Sequence, residues 1–210
     1  LIRESVRKHC SDFPDAYWER KDAAGEFPTD FFDSMAAAGW LGIAMPEQYG
    51  GAGKGIQEAA ILLEEVAASG AAMNGATPLH LSIFGMHPVV KHGSEALRNT
   101  YLPKVARGEM HVAFGVTEPN AGTDTTSIET SAKLDGDHYI VNGQKVWTSR
   151  AKHSDLMTLL VRTTPVDQVK RRTDGLSVLL VDIREAEGKG LTIRPIDTML
   201  NHQTNDLFFE

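Results

Sequence analysis

The sequence of 210 residues contains one cysteine, Cys10, so no disulfide can form within the chain. That fits a reducing compartment. No apolar run approaches the ~18–20 residues that a membrane span requires, and no signal-peptide pattern opens the chain. Positive charge is in deficit. The 21 Lys and Arg against 28 Asp and Glu give a net charge of -7 and a pI of about 5.6, which excludes a global basic field for nucleic acid. The one local basic run, Lys170, Arg171 and Arg172 in "KRRTD", reads as a solvated loop. Signatures of common enzyme classes are missing as well: there is no H-E-x-x-H, no Cys/His ligand spacing, no G-x-S-x-G and no G-x-G-x-x-G. "GGAGKG" (Gly50–Gly55) lacks the Walker spacing, so Lys54 is not a phosphate-binding lysine by motif. Cys10 has no activating neighbour in view. His80, His87 and His92 are scattered along one helical stretch and its end, and the adjacent Glu64 and Glu65 read as solvated or capping.

What is present is 41% apolar residues, enough for a sizeable core in one or two domains. The hydrophobic period changes near Gly108–His111. Before it, apolar residues recur at helical spacing. In "GIQEAAILLEEVAASG" the face Ile56, Ala59, Ala60, Leu63, Val66 and Ala67 points inward, Glu58 and Glu65 fall on the other side, and Gly70 stops the helix. "FPTDFFDSMAAAGW" predicts a helix capped by Thr29 and stopped by Gly39. Leu79, Ile83, Met86 and Val90 mark another, broken or kinked near Pro88. Ser94 caps one carrying Leu97, Tyr101 and Val105, and the first twenty residues form one interrupted at Pro14. After His111 the period is two. "HYIVNGQKVWTS" predicts a hairpin turning at Asn142-Gly143, with a second tight turn at Asp135-Gly136. "DLMTLLVRT", "GLSVLLVDI", "LTIRPIDTM" and "NDLFFE" read as strands, which suggests an antiparallel barrel or sandwich. The sequence starts at Leu1 rather than Met and ends on a strand-like run, so we read it as a piece of something longer.

One passage could carry chemistry. "AFGVTEPNAGTDTT" (residues 113–126) begins as a strand and then crowds hydroxyls, Pro119 and Gly122 around Glu118. Thr117, Thr123, Thr125, Thr126 and Ser127 can present donors to a phosphate in a concave nest, and Gly122 lets backbone approach a ligand closely. The same residues are also ordinary turn formers that satisfy local backbone groups. Trp147, beside Thr148 and Ser149, is either core packing or a wall for a flat ring. Together the two features fit a flat, phosphate-bearing cofactor better than either does alone.

These residues resemble a known family. "VTEPNAGTD" (Val116–Asp124) is similar to the V-T-E-P-x-A-G-S-D signature of the acyl-CoA dehydrogenases. "FPTDFFDSMAAAGWLGIAMPEQYGGAG", "HGSEALRNTYLPKVARGE", "DGDHYIVNGQKVWTS" and "TNDLFFE" resemble further segments of that family in the right order, over nearly the whole chain. The resemblance implies an α+β fold, with an N-terminal α-helical domain over residues 1–110 and an antiparallel β-barrel domain over 111–210. It also implies a C-terminal helical domain beyond them that supplies part of the FAD site and most subunit contacts.

The resemblance further implies FAD as cofactor and an acyl-CoA as substrate. A glutamate base takes the α proton, flavin N5 accepts the β hydride, and electrons pass to an electron-transferring flavoprotein; the full-length protein is a homo-tetramer or dimer. Carried over by position, Phe114, Val116, Thr117, Gly122, Thr123, Trp147, Thr148 and Ser149 contact the cofactor. Thr117 meets the pyrimidine side of the flavin, and Thr123 meets the pyrophosphate or the acyl-CoA. Trp147 packs on the ring and Ser149 approaches N5. The base itself is expected beyond Glu210, so Glu118 has a structural role and the 210 residues alone are expected to be inactive and to hold FAD weakly or not at all. Asn120, "SRAKHSD" and "MLNHQTND" depart from the family pattern. The alternatives are a flavin monooxygenase or oxidase on the same fold, and a non-catalytic module binding CoA-like ligands or a partner. The lack of a visible transit peptide points to the bacterial cytoplasm rather than the mitochondrial matrix.

Overall fold

A computed structural model describes residues 1–199 and 203–210. The departure read in "MLNHQTND" falls in part on residues 200–202, outside the described residues. The chain divides into two compact units, one built from Leu1–Val112 with Thr198 and Met199, and one from Ala113–Asp197 and Gln203–Glu210.

The first unit is helical: α1 (Ile2–Cys10), α2 (Asp15–Ala24), α3 (Thr29–Ala37), α4 (Ile56–Val66), α5 (Ala72–His92) and α6 (Glu95–Ala106). Pro14 precedes α2 and so separates it from α1, where a missing N–H costs nothing. Thr29 is the first residue of α3 and its side chain makes no cap, whereas Gly39 takes the left-handed conformation that ends the segment (φ 80°). Ser94 does cap α6, accepting from the Leu97 N–H at 3.2 Å. α5 is not broken at Pro88; it runs through both Pro78 and Pro88. The core gathers Val6, Phe31, Phe32, Met35, Leu62 and Leu79, flanked by edge-to-face contacts of Trp18 with Tyr17 and Phe31.

The predicted inner face of α4 is corrected. Ile56 is 78% exposed, and the buried residues are Ala59, Leu62, Glu65 and Val66. Glu65 was expected in solvent. It is buried because Arg3 and Arg7, one turn apart on α1, both donate to its carboxylate. Two guanidinium groups offset its lost hydration, which no periodicity within α4 could reveal.

The second unit holds, among the described residues, β1 (Val112–Gly115), β2 (Ser131–Asp135), β3 (His138–Ser149), β4 (Leu156–Arg162), β5 (Leu176–Asp182), β6 (Leu191–Ile196) and β7 (Thr204–Phe209). They form one sheet in the order β1-β4-β2-β3-β7-β6, with β5 on β4, curled into a half-barrel. The predicted antiparallel barrel is corrected in two respects: the sheet curls into a half-barrel, and it is not wholly antiparallel. The sheet is mixed, because β2 meets β4 in parallel where Ser131 pairs with Arg162. Ala132, Met157, Leu159, Ile193 and Leu207 fill its core.

Of the two predicted turns, one forms. Asp135 pairs with His138 around Gly136, whose φ is 61°. Asn142-Gly143 is not a turn: β3 continues through it, Asn142 pairing with Ser131 and Gly143 with Phe209. Glycine is needed there for close approach, since a Cβ would lie 2.6 Å from Thr130 Oγ1 and 2.7 Å from its Cα.

Candidate functional site

The site grows from β1 and the middle of β3. After β1 the chain continues beside β3: the Val146 N–H donates to the Thr117 carbonyl at 2.8 Å. It then doubles back over Pro119-Asn120, where Glu118 and Ala121 exchange both backbone hydrogen bonds, at 3.0 and 3.1 Å. Proline suits a turn that removes its N–H from the ladder.

β3 carries a bulge at the same level. Lys145 pairs with Leu207 on β7, but the next pair is Thr148 with Asn205, so three steps along β3 match two along β7. Val146 and Trp147 lie inside the bulge, opposite Asp206, and Trp147 has φ 58°. A left-handed tryptophan is uncommon and strained. Its effect is to turn the indole out of the sheet, 60% exposed, instead of into the core. The register then resumes: Asn205 Nδ2 donates to the Thr148 carbonyl at 3.0 Å, and the Arg150 N–H donates to the Gln203 carbonyl at 2.7 Å.

The structure therefore brings together Val116, Thr117, Trp147, Thr148 and Ser149. Thr117 and Ser149 are half-buried beside the exposed indole. Thr148 Oγ1 is buried with no hydrogen-bond partner among the described residues. Phe114 lies half-buried on β1. Gly122 and Thr123 lie past the turn and are exposed; a Cβ on Gly122 would meet nothing within 4 Å, so that backbone has open space over it. An exposed aromatic face held by strained backbone, with the half-buried hydroxyls of Thr117 and Ser149 at its edge, suits a flat ring with hydrogen-bonding edges such as a flavin. The donor set does not suit a metal, and among the described residues no cluster of His, Cys, Asp or Glu could hold one.

Glu118 does not face this surface. Its carboxylate is buried, accepting from the Glu129 N–H at 2.7 Å, the Thr130 N–H at 3.0 Å and Lys145 Nζ at 2.8 Å. Burial alone would raise its pKa, but the Glu129 N–H, Lys145 and the Thr130 side chain outweigh it and hold the group below the usual glutamate range. It is an anion with its acceptors occupied, unsuited to taking a proton from a substrate. Lys145 is fully buried, and Nζ also donates to the Val116 carbonyl at 3.0 Å. Burial pushes its pKa down, opposed by Glu118.

Sequence reasoning missed Lys145, although it stands in the quoted segment two residues before Trp147. A lysine within an alternating strand on the same side as core residues was the available signal. It missed Arg150 too. Burial drives that side chain down to about 10, and its backbone adopts φ 54° in the turn after Ser149. Lys170–Arg172 do form an exposed loop: Arg171 pairs with Asp174 at 2.9 Å, and Arg172 with Asp124 at 3.5 Å. Cys10 is buried and its thiol pushed up, as befits an inert cysteine. Among the described residues, no helix is long and apolar enough to cross a membrane.

Two family models match the chain: the acyl-CoA dehydrogenase N-terminal domain over residues 1–109 and the acyl-CoA dehydrogenase middle domain over residues 113–210. The acyl-CoA dehydrogenase FadE29 of Mycobacterium tuberculosis is 37% identical over 188 residues, 88% of this chain and 46% of the relative. A solved glutaryl-coenzyme A dehydrogenase in complex with glutaryl-CoA superposes with a TM-score of 0.90 at 28% identity, covering 100% of this chain and 52% of that one. The prolyl acyl carrier protein oxidase AnaB does so with a TM-score of 0.85 at 26% identity, covering 100% and 55%. The chain thus spans about half the length of the relatives it matches.

Proposed function

The chain belongs to the acyl-CoA dehydrogenase family, and we propose on that premise that it forms the flavin-facing wall of an FAD-dependent enzyme that converts an acyl-CoA to its trans-2-enoyl-CoA. The carrying observation is Trp147, an exposed indole held in a strained left-handed conformation beside Thr117 and Ser149. Strain of this kind clusters at ligand-binding sites.

Bound FAD supplies the two-electron acceptor for the dehydrogenation. The chain's own part is to bind and orient. Trp147 offers an apolar face that keeps water from one side of the ring. Thr117 and Ser149 offer hydroxyl donors to its edge, where they favour added negative charge. Thr123, with the open backbone at Gly122, offers donors to a phosphate or to the acyl thioester. No residue of this wall is a proton acceptor for the α carbon; the glutamate base belongs to residues beyond Glu210, together with the helical domain that carries it. An electron-transferring flavoprotein would be the partner that reoxidises such an enzyme.

The test is anaerobic titration of the full-length yellow protein with acyl-CoAs of varied chain length and branching. Bleaching of the flavin absorbance by at least one is expected, and Trp147→Ala weakens FAD binding by about tenfold, the scale of one aromatic contact. The likeness to an acyl carrier protein oxidase supports a second reading. Absence of bleaching by any acyl-CoA, with turnover that consumes oxygen, would favour that oxidase or monooxygenase chemistry.

A further inference from the structure

Lys145 and Glu118 are fixed to the two halves of the site by short covalent paths. Glu118 directly follows Thr117, and Lys145 stands two residues before Trp147. Their contacts cross between the halves. Nζ of Lys145 binds Glu118 Oε1 at 2.8 Å and the Val116 carbonyl at 3.0 Å, so one buried ammonium grips the chain on both sides of Thr117. The other carboxylate oxygen and the remaining capacity of Oε1 take the N–H groups of Glu129 and Thr130, tying the same point to the lead-in of β2. The bulge begins immediately after Lys145.

A buried ion pair is rarely retained for stability alone, because desolvating two charges offsets most of their attraction, whereas it specifies geometry strongly. Here the geometry specified is the level at which the β1 extension lies on β3. If Lys145 slid by one residue, its side chain would leave the core, the bulge would close, and Trp147 would return to an alternating position. Neither charge faces the exposed indole, so the pair cannot act on a ligand directly.

We infer that Lys145 and Glu118 are positioning residues for the flavin wall: the pair holds the bulge open, keeps Trp147 turned outward, and fixes Thr117 beside it. This rests on the reading of that wall as an FAD site. The chemistry of the pair separates positioning from charge balance. Lys145→Met or Glu118→Gln alone leaves one buried charge without its partner. The double variant Lys145→Met/Glu118→Gln removes both charges, so the core is neutral again, yet the ammonium bridge to Val116 and to residue 118 is gone.

The experiment measures thermal unfolding of the full-length apoprotein and FAD affinity by fluorescence titration, in the wild type and in the double variant, with near-UV circular dichroism reporting the tryptophan environment. The double variant is expected to unfold within a few degrees of the wild type, to bind FAD about tenfold or more weakly, and to show an altered aromatic signal. Recovery of both thermal stability and wild-type FAD affinity in the double variant would overturn the proposal and leave the pair a matter of charge balance. If the double variant fails to fold, Lys145→Arg keeps the charge and changes only the reach of the bridge. Reduced FAD affinity with retained folding in that variant supports the proposal, and unchanged affinity overturns it. A wild-type protein that binds no FAD would instead refute the site reading itself.

Discussion

The two units each bury a glutamate, and they do so in opposite ways. Glu65 in the helical unit draws its cations from outside: the Arg3 and Arg7 side chains are 39% and 64% exposed and reach inward from α1. Glu118 in the sheet unit has its cation inside, on a lysine with no exposed surface, and adds two backbone N–H donors. The first arrangement staples two helices and leaves its cations hydrated. The second has given up hydration on both sides, so its net contribution to stability is small while the cost of breaking it is large. A pair of that second kind is informative about what it holds in place.

Breaking one side of each pair should expose the contrast most strongly. Lys145→Met alone strands the Glu118 carboxylate in the core and is expected to cost about 3–5 kcal/mol, read from urea unfolding followed by near-UV circular dichroism. Glu65→Gln is expected to cost clearly less, because Arg3 and Arg7 return to water. Equal costs would mean that the two sites are equally wet.

The next test approaches the inner pair from its other side. Gly143 lies against Thr130, whose N–H is one of the donors to Glu118. A methyl group at Gly143 would meet backbone as well as side chain, with no rotamer to relieve it. Gly143→Ala is expected to cost about 1–3 kcal/mol, the usual range for overpacking, and to shift the Thr130 amide resonance. A neutral effect would show that the 129–130 segment yields easily and that Glu118 is less firmly held than its three donors suggest.

Gly143 also marks where sequence reasoning stops. Local signals were legible: the Ser94 cap, the stop at Gly39, the turn at Gly136 and the apolar strands were read from neighbours a few residues apart. Asn142-Gly143 carries the strongest hairpin signal in the chain, yet the glycine is there to admit Thr130, a contact set by strand packing. The inner face of α4 failed for the same reason, since Glu65 is made tolerable by arginines some sixty positions away. In the candidate site, Trp147 and the hydroxyls around it were picked out by type. The bulge, the left-handed backbone and Lys145 were not, because each depends on how β7 and the β1 extension align with β3.

Acid should act on the two carboxylates with the same sign. Arg7 lowers the Glu65 pKa, burial opposes it and Arg3 adds to the lowering; for Glu118, burial is outweighed by its donors. Both native values lie below the ordinary glutamate value of about 4.3. Each group therefore stabilises the fold fully above that value, and loses its contribution as pH falls through the depressed native pKa. Unfolding free energy measured from pH 6 down to pH 3 should fall in the wild type, and should fall less in Glu118→Gln or Glu65→Gln. A variant that keeps the full wild-type slope would show that its carboxylate does not carry the linkage.

The smallest effect is the most selective. Salt shortens the Debye length from ~10 Å at 0.1 M to ~3 Å at 1 M, which weakens attraction between charges in contact with solvent and leaves enclosed pairs nearly untouched. The Arg3 and Arg7 guanidinium groups are in contact with solvent; Lys145 Nζ is not. The stability difference between wild type and Glu65→Gln should therefore narrow as sodium chloride rises from 0.1 to 1 M, while the difference for Glu118→Gln stays constant. Specific anion binding to the arginines would narrow the first difference further, but it has no route to Lys145. A matching decline in both differences would place solvent at Lys145 and remove the reason for treating the inner pair as a fixed point of the site.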